Sequence, residues 1–170
     1  MSPECWLPEI IPYDGNWAAY LTRIYAKYEE DFVKTRPLYR GTYLRVKRLP
    51  KDRGLDATFW HLVEKGKDSR ILDFRRCERI PWPKPIVGHC DETCIKTWEN
   101  TRNGERRICI WYESAKYLVV LAKRTGYILF WTAYIVEDTH TEIKLRKEYE
   151  GYIAGAATSS GPVTPSTRGR

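Results

Sequence analysis

Residues 116–136, KYLVVLAKRTGYILFWTAYIV, decide how this chain is read. Two apolar runs flank a short Arg-Thr-Gly turn, which predicts two adjacent strands. The second run ends in Trp131-Thr132-Ala133-Tyr134. Residues two apart share one face of a strand, so the Thr132 hydroxyl and the Tyr134 phenol are expected side by side. Just upstream, segments 95–101 and 106–113 flank Asn103-Gly104. That dipeptide is the strongest short hairpin signal, because both of its residues accept positive φ. Four consecutive antiparallel strands are therefore expected.

The flanks complete the plan. Pro8, Pro12 and Gly15 punctuate an irregular start, and Asp14 is a candidate cap for a helix over 15–33. Trp17, Leu21, Ile24, Tyr25, Tyr28 and Phe32 recur at helical spacing. Pro37 ends that segment. Residues 41–48 alternate, with Leu44 and Val46 opposed to Arg45 and Lys47, and predict a strand. The run 57–64, ATFWHLVE, predicts a second strand, 65–69 a polar loop, and 71–80 a short helix. Pro81-Trp82-Pro83-Lys84-Pro85 predicts irregular chain. Residues 139–152 predict a final helix with Ile143, Leu145, Tyr149 and Tyr152 at partial apolar spacing. The expected fold is α+β: a four-stranded or larger antiparallel sheet packed with an N-terminal and a C-terminal helix. A single domain is expected over 1–153, with a disordered Ala, Ser, Thr, Gly and Pro tail over 154–170.

The 170 residues are 42% hydrophobic and 14% aromatic, enough to bury a core. Seven Trp and twelve Tyr can serve as core or as stacking platforms for bases. No apolar run is long enough to span a bilayer, and no secretory signal is visible, so a soluble cytoplasmic protein is expected. The net charge of +7 comes in blocks. Residues 33–53 hold eight basic groups (Lys34, Arg36, Arg40, Arg45, Lys47, Arg48, Lys51, Arg53) against Asp52 alone. Such a block either attracts a polyanion, most plausibly nucleic acid, or forms a solvated face.

His61 is the chemically versatile group among three histidines. In a strand it would share a face with Phe59 and Val63, either packed in the core or aimed into a cleft. Cleaving RNA without metal needs a base for the 2′-hydroxyl, an acid for the 5′-oxygen, and cations on the phosphate. Histidine titrates in the right range. Arg75, Arg76 and Arg79 supply guanidinium forks, which either contact phosphate or pair with Asp73 and Glu78. Thr132 and Tyr134 are strand formers or substrate-orienting donors. Arg45, Lys47, Arg48, Arg75, Lys123 and Arg124 are the candidate nucleic-acid contacts.

With His61 late in an early strand, an Arg-bearing segment after it and a last strand ending Thr-Ala-Tyr, the chain resembles the barnase/EndoU/colicin/RelE-like ribonucleases, over roughly residues 55–137. Members are toxins, including toxin–antitoxin, phage-associated and secreted polymorphic toxins. The resemblance implies a metal-independent endoribonuclease that leaves a 2′,3′-cyclic phosphate, needs no cofactor and is partnered by an antitoxin or immunity protein. It implies His61 as acid or base, Arg76 or Arg79 on the phosphate, and Thr132 with Tyr134 at the last strand. The alternative is a non-catalytic basic protein of phage or mobile-element origin that grips nucleic acid or inhibits a complex handling it.

Cys5, Cys77, Cys90, Cys94 and Cys109 are an odd set and argue against a disulfide framework. His89-Cys90-Asp91-Glu92-Thr93-Cys94, with Cys77 or Cys109, invites a zinc reading, but only one short cysteine pair is present. Reduced, partly buried thiols are the expectation. No glycine-rich phosphate loop, nucleophile elbow or paired-carboxylate motif occurs.

Overall fold

A computed structural model describes residues 6–159. Helix α1 (Trp17–Tyr28) continues into a π-helical segment, Glu29–Lys34. A small hairpin follows, β1 (Leu38–Tyr39) and β2 (Thr42–Tyr43), then helix α2 (Ala57–Val63). A second hairpin, β3 (Glu64–Lys65) and β4 (Ile71–Leu72), leads into α3 (Phe74–Glu78) and α4 (Pro83–Gly88). The main sheet is β5 (Lys96–Arg102), β6 (Glu105–Tyr112), β7 (Tyr117–Arg124) and β8 (Tyr127–Ile135). Helix α5 (Thr139–Ser159) closes the described chain.

The four long strands pair in sequence order, each antiparallel to the next. Asn103 and Gly104 take φ of 51° and 75° and make the two-residue turn their sequence demands. Both faces of the sheet are covered. Ile108, Ile110, Tyr112, Tyr117, Val119, Leu121, Phe130 and Ala133 join the main core with Tyr20, Ile24, Tyr28 and Phe59. Trp98, Cys109, Trp111, Leu118 and Val120 face the other way, onto Leu145 and Tyr149 of α5. Burial on both sides explains why β7 reads as a continuous apolar run. The α+β architecture with its four-stranded antiparallel sheet and terminal helices is thus the one expected.

Several local expectations change. The α1 cap is Asn16, whose side chain accepts from the Ala19 amide at 3.2 Å; Asp14 instead pairs with Arg23. The alternation over 41–48 is real, since Leu44 is buried and Arg45 and Lys47 are exposed, but regular pairing stops at Tyr43. Arg45 alone bridges to β8, donating to the Ile128 carbonyl at 2.9 Å and accepting from the Phe130 amide at 2.8 Å. That bridge shields part of an otherwise open sheet edge. Prolines 83 and 85 fall in the first turn of α4, where a missing N–H costs nothing, so the proline run starts a helix. Helix α5 runs to Ser159, through the first part of the expected tail and past the 153 boundary. Cys5 and residues 160–170 lie outside the described residues.

The largest correction is α2. A seven-residue apolar run cannot be assigned by periodicity alone. ATFWHLV is buried nearly all round, with Thr58, Phe59, Trp60, Leu62 and Val63 inside, so neither period shows. The helix is set by what lies at its ends. Asp56, in extended conformation just before it, is fully buried. Its carboxylate accepts from Tyr28 Oη at 3.1 Å and Arg48 Nε at 3.1 Å, and from Lys51. The two cations remain half-exposed, so they stay partly hydrated while neutralising the acid.

Asp56→Ala removes an acceptor from a buried phenol and two cations. It is expected to cost about 1–3 kcal/mol in urea denaturation, with Asp56→Asn costing less. A loss under about 0.5 kcal/mol, the ordinary surface value, would show that this cluster does not hold α2.

Candidate active site

His61, Arg76, Thr132 and Tyr134 come from α2, α3 and β8, and all four line one groove of ≈310 Å³. Glu64, Lys65, Lys67, Arg70 and Trp131 complete it. Helix α2 brings His61 there by packing along the part of β8 that Arg45 leaves open. A bulge in β8 shapes the contact. Val120 pairs with Thr132 but Leu121 pairs with Phe130, so Trp131 is the extra residue. The His61 ring lies on Trp131, with centroids 5.2 Å apart and planes 29° apart. Thr132 and Tyr134 then share one face with their cross-strand partners Val120 and Leu118, as their spacing requires.

The carbonyls that end α2 carry the negative pole of the helix and need donors. Thr132 Oγ1 donates to the His61 carbonyl at 3.0 Å. Arg76 Nη1 donates to the Glu64 carbonyl at 2.7 Å and reaches the His61 carbonyl at 3.4 Å. Arg70 Nη2 lies 3.4 Å from the Trp60 carbonyl and 3.3 Å from that of Glu64. So the Thr132 hydrogen and one end of Arg76 position the turn bearing His61. They are not free for substrate. Arg76 Nη2 has no bond among the described residues, and the guanidinium lies 5.1 Å over the Tyr134 ring.

The Glu64 side chain is buried and held as an anion by Arg53, at 2.6 and 3.1 Å, and by Arg70 at 3.4 Å. These hydrogen bonds, Arg53 first, hold its carboxyl below the usual carboxylate range. Burial pushes His61 below its ordinary value, and the nearby Arg70 and Lys47 push the same way against Glu64 and Asp52. The imidazole is therefore neutral at pH 7. Burial also raises the Tyr134 phenol, with Cys109 adding and Arg76, Arg102 and Arg107 opposing, so it keeps its proton.

Not every expected residue joins the groove. Arg79 is turned away: its Nη1 donates to the Arg75 carbonyl at 3.1 Å, and its guanidinium lies 5.0 Å over Trp82. The expected nucleic-acid contacts divide. Arg48 is bound to Asp56, Arg75 to Glu137, Lys123 to Glu99 and Arg124 to Glu105. Arg45 lies 4.9 Å over Tyr127 and serves the strand bridge. Lys47 has no carboxylate within ion-pair distance among the described residues and is close enough to depress His61. The 33–53 block is thus largely a set of clamps, since Arg40, Arg48, Lys51 and Arg53 all hold acids.

Arg70 and Trp131 were missed as site residues. Pairing Glu64 with Leu72 in a hairpin would have carried Arg70 back over the end of α2. Nothing in the sequence marks the bulge at Trp131. Among the described residues no three His, Cys, Asp or Glu side chains converge as a metal site, and Cys77, Cys90, Cys94 and Cys109 are free thiols. His89 instead stacks on Trp6 at 4.1 Å. No helix among the described residues is long and apolar enough to cross a membrane.

No protein-family model, curated protein or solved structure matches the chain.

A histidine whose folded pKa is depressed binds its proton less readily folded than unfolded. Its effect on stability is nil well above pH 6.5, and stability falls as pH drops through that unfolded value toward the folded one. Urea denaturation at pH 7.5 and 5 should show an acid loss in the wild type that shrinks in His61→Gln. An equal acid loss in both would mean that His61 is not depressed.

Proposed function

We propose that the protein is a metal-independent endoribonuclease of toxin type, acting on RNA in the cytoplasm. The observation that carries this reading is the convergence of His61, Arg76 and Tyr134, from three separate segments, on one cation-rimmed groove. His61, neutral at pH 7, takes the proton from a ribose 2′-hydroxyl. The 2′-oxygen attacks the adjacent phosphorus, the P–O5′ bond breaks, and a 2′,3′-cyclic phosphate forms. Tyr134 protonates the departing 5′-oxygen, and the proton held on His61 later restores the phenol through solvent. Arg70 and the free Nη2 of Arg76 balance the charge gathering on the phosphate. Thr132 acts through the His61 carbonyl as a positioning residue. An enzyme that cuts its own cell's RNA requires neutralisation, so an antitoxin or immunity protein is the expected partner.

The second reading, a non-catalytic RNA-binding protein, is favoured by one observation. Thr132 and one end of Arg76 already satisfy backbone carbonyls. Cleavage distinguishes the two. Total RNA incubated with wild type in EDTA should yield 2′,3′-cyclic ends, and folded His61→Ala should be slower by about 10²–10⁴-fold. Because the base must be neutral, the rate should fall on the acid side with a midpoint below pH 6.5. No cleavage by folded wild type, or equal cleavage by His61→Ala, would exclude this mechanism.

A further inference from the structure

Three cavities meet at Tyr134, which lines all of them. The first is the His61 groove. The second, of ≈100 Å³, lies among Lys65, Arg75, Arg76 and Glu137. The third, of ≈370 Å³, lies between the sheet and α5, floored by Cys109, Leu118 and Val120. Arg102 and Arg107 line it from β5 and β6. Antiparallel pairing sets Asn100 opposite Arg107, and Asn100 and Arg102 are two apart, so all three share the face that α5 covers. The Tyr134 phenol is within electrostatic reach of Arg76, Arg102 and Arg107.

The acids of the third cavity are already engaged. Glu137 binds Arg75, and Asp138 accepts from the Thr141 amide at 2.7 Å. Glu148 accepts from Trp98 Nε1 at 3.2 Å and Asn100 Nδ2 at 3.0 Å. The arginines are not so engaged. Arg102 has no carboxylate within ion-pair distance among the described residues, and Arg107 reaches Glu105 only at 3.9 Å. Asn100 adds a neutral signal. Its Nδ2 is committed to Glu148, which fixes Oδ1 as a buried acceptor with no donor among the described residues. A buried acceptor left unpaired is costly, and a hydroxyl or amine from a ligand would satisfy it.

We propose that Arg102 and Arg107 form a second phosphate subsite, across Tyr134 from Arg76, with Asn100 Oδ1 accepting from a ribose hydroxyl or base amine. The substrate class is then single-stranded RNA spanning at least two phosphates. A stacked duplex does not enter a cavity roofed by a helix, whereas an unpaired strand threads beneath it. This inference deepens the ribonuclease reading and takes the polymer's identity from it.

The test is binding of 2′-O-methyl RNA, which cannot be cleaved, as a labelled dinucleotide and hexanucleotide, measured by fluorescence anisotropy across a salt series. Arg102→Ala/Arg107→Ala should weaken the hexanucleotide about 10-fold. It should also make the slope of log K against log salt shallower by about 0.7, the value for one phosphate contact on a single strand. Dinucleotide binding should be unchanged. Arg102→Gln/Arg107→Gln, which keeps polarity and much of the length but not charge, should show the same losses and serves if the alanine pair fails to fold. Unchanged hexanucleotide affinity and slope in a folded alanine pair would overturn the subsite, as would an equal loss for the dinucleotide. Wild type that cleaves no RNA but shows the Arg102 and Arg107 dependence would remove the cleavage reading and support the subsite.

Discussion

Two buried carboxylates, Asp56 and Glu64, flank helix α2, and each is held by cations from residues 48–53. The Arg53 guanidinium also lies over Trp60, 3.8 Å from its ring centre, and Trp60 Nε1 donates to the Asp52 carbonyl at 2.8 Å. A seven-residue helix is too short to persist alone in water. Its persistence here rests on burial around most of its circumference and on these clamps. Everything that gives the groove its chemistry depends on where α2 stops, because His61 lies in its last turn.

The same contacts that end the helix also build the site. Thr132, Arg70 and Arg76 supply donors to carbonyls that would otherwise be bare. In doing so they tie β8, the hairpin before α3, and α3 itself to the turn carrying the imidazole. The β8 bulge adds one residue at Trp131, which gives His61 a flat apolar partner and returns Thr132 and Tyr134 to one face. A short helix thereby covers one part of a sheet edge and the Arg45 bridge another.

The sheet was legible in the sequence because its signals are local. Asn103-Gly104 demands a hairpin, and the apolar runs around Thr125-Gly126 demand another. Thr132 and Tyr134 could be placed on one face for the same reason. Helix α2 was not legible, because a short run buried on most sides carries neither a period of two nor one of 3.6. The basic block at 33–53 misled in another way. Its charge is clear in sequence, but whether a cation faces solvent or a buried acid depends on contacts between residues such as Arg53 and Glu64 that fold together. His61 and Arg76 were singled out by the chemistry of their side chains, and both line the groove. Arg79 was not separable from Arg76, because helical spacing puts both on one face, whereas α3 ends at Glu78 and Arg79 falls in the cap that turns away.

The most direct test of the account is an NMR titration of the His61 ring, free and with a non-cleavable 2′-deoxy oligonucleotide bound. The account predicts a free pKa below the ordinary 6.5 of histidine, rising when the anion fills the groove and offsets Arg70 and Lys47. A free value at or above 6.5 that does not move with the oligonucleotide would contradict it, because the imidazole would then be neither buried beside Arg70 and Lys47 nor next to the bound strand.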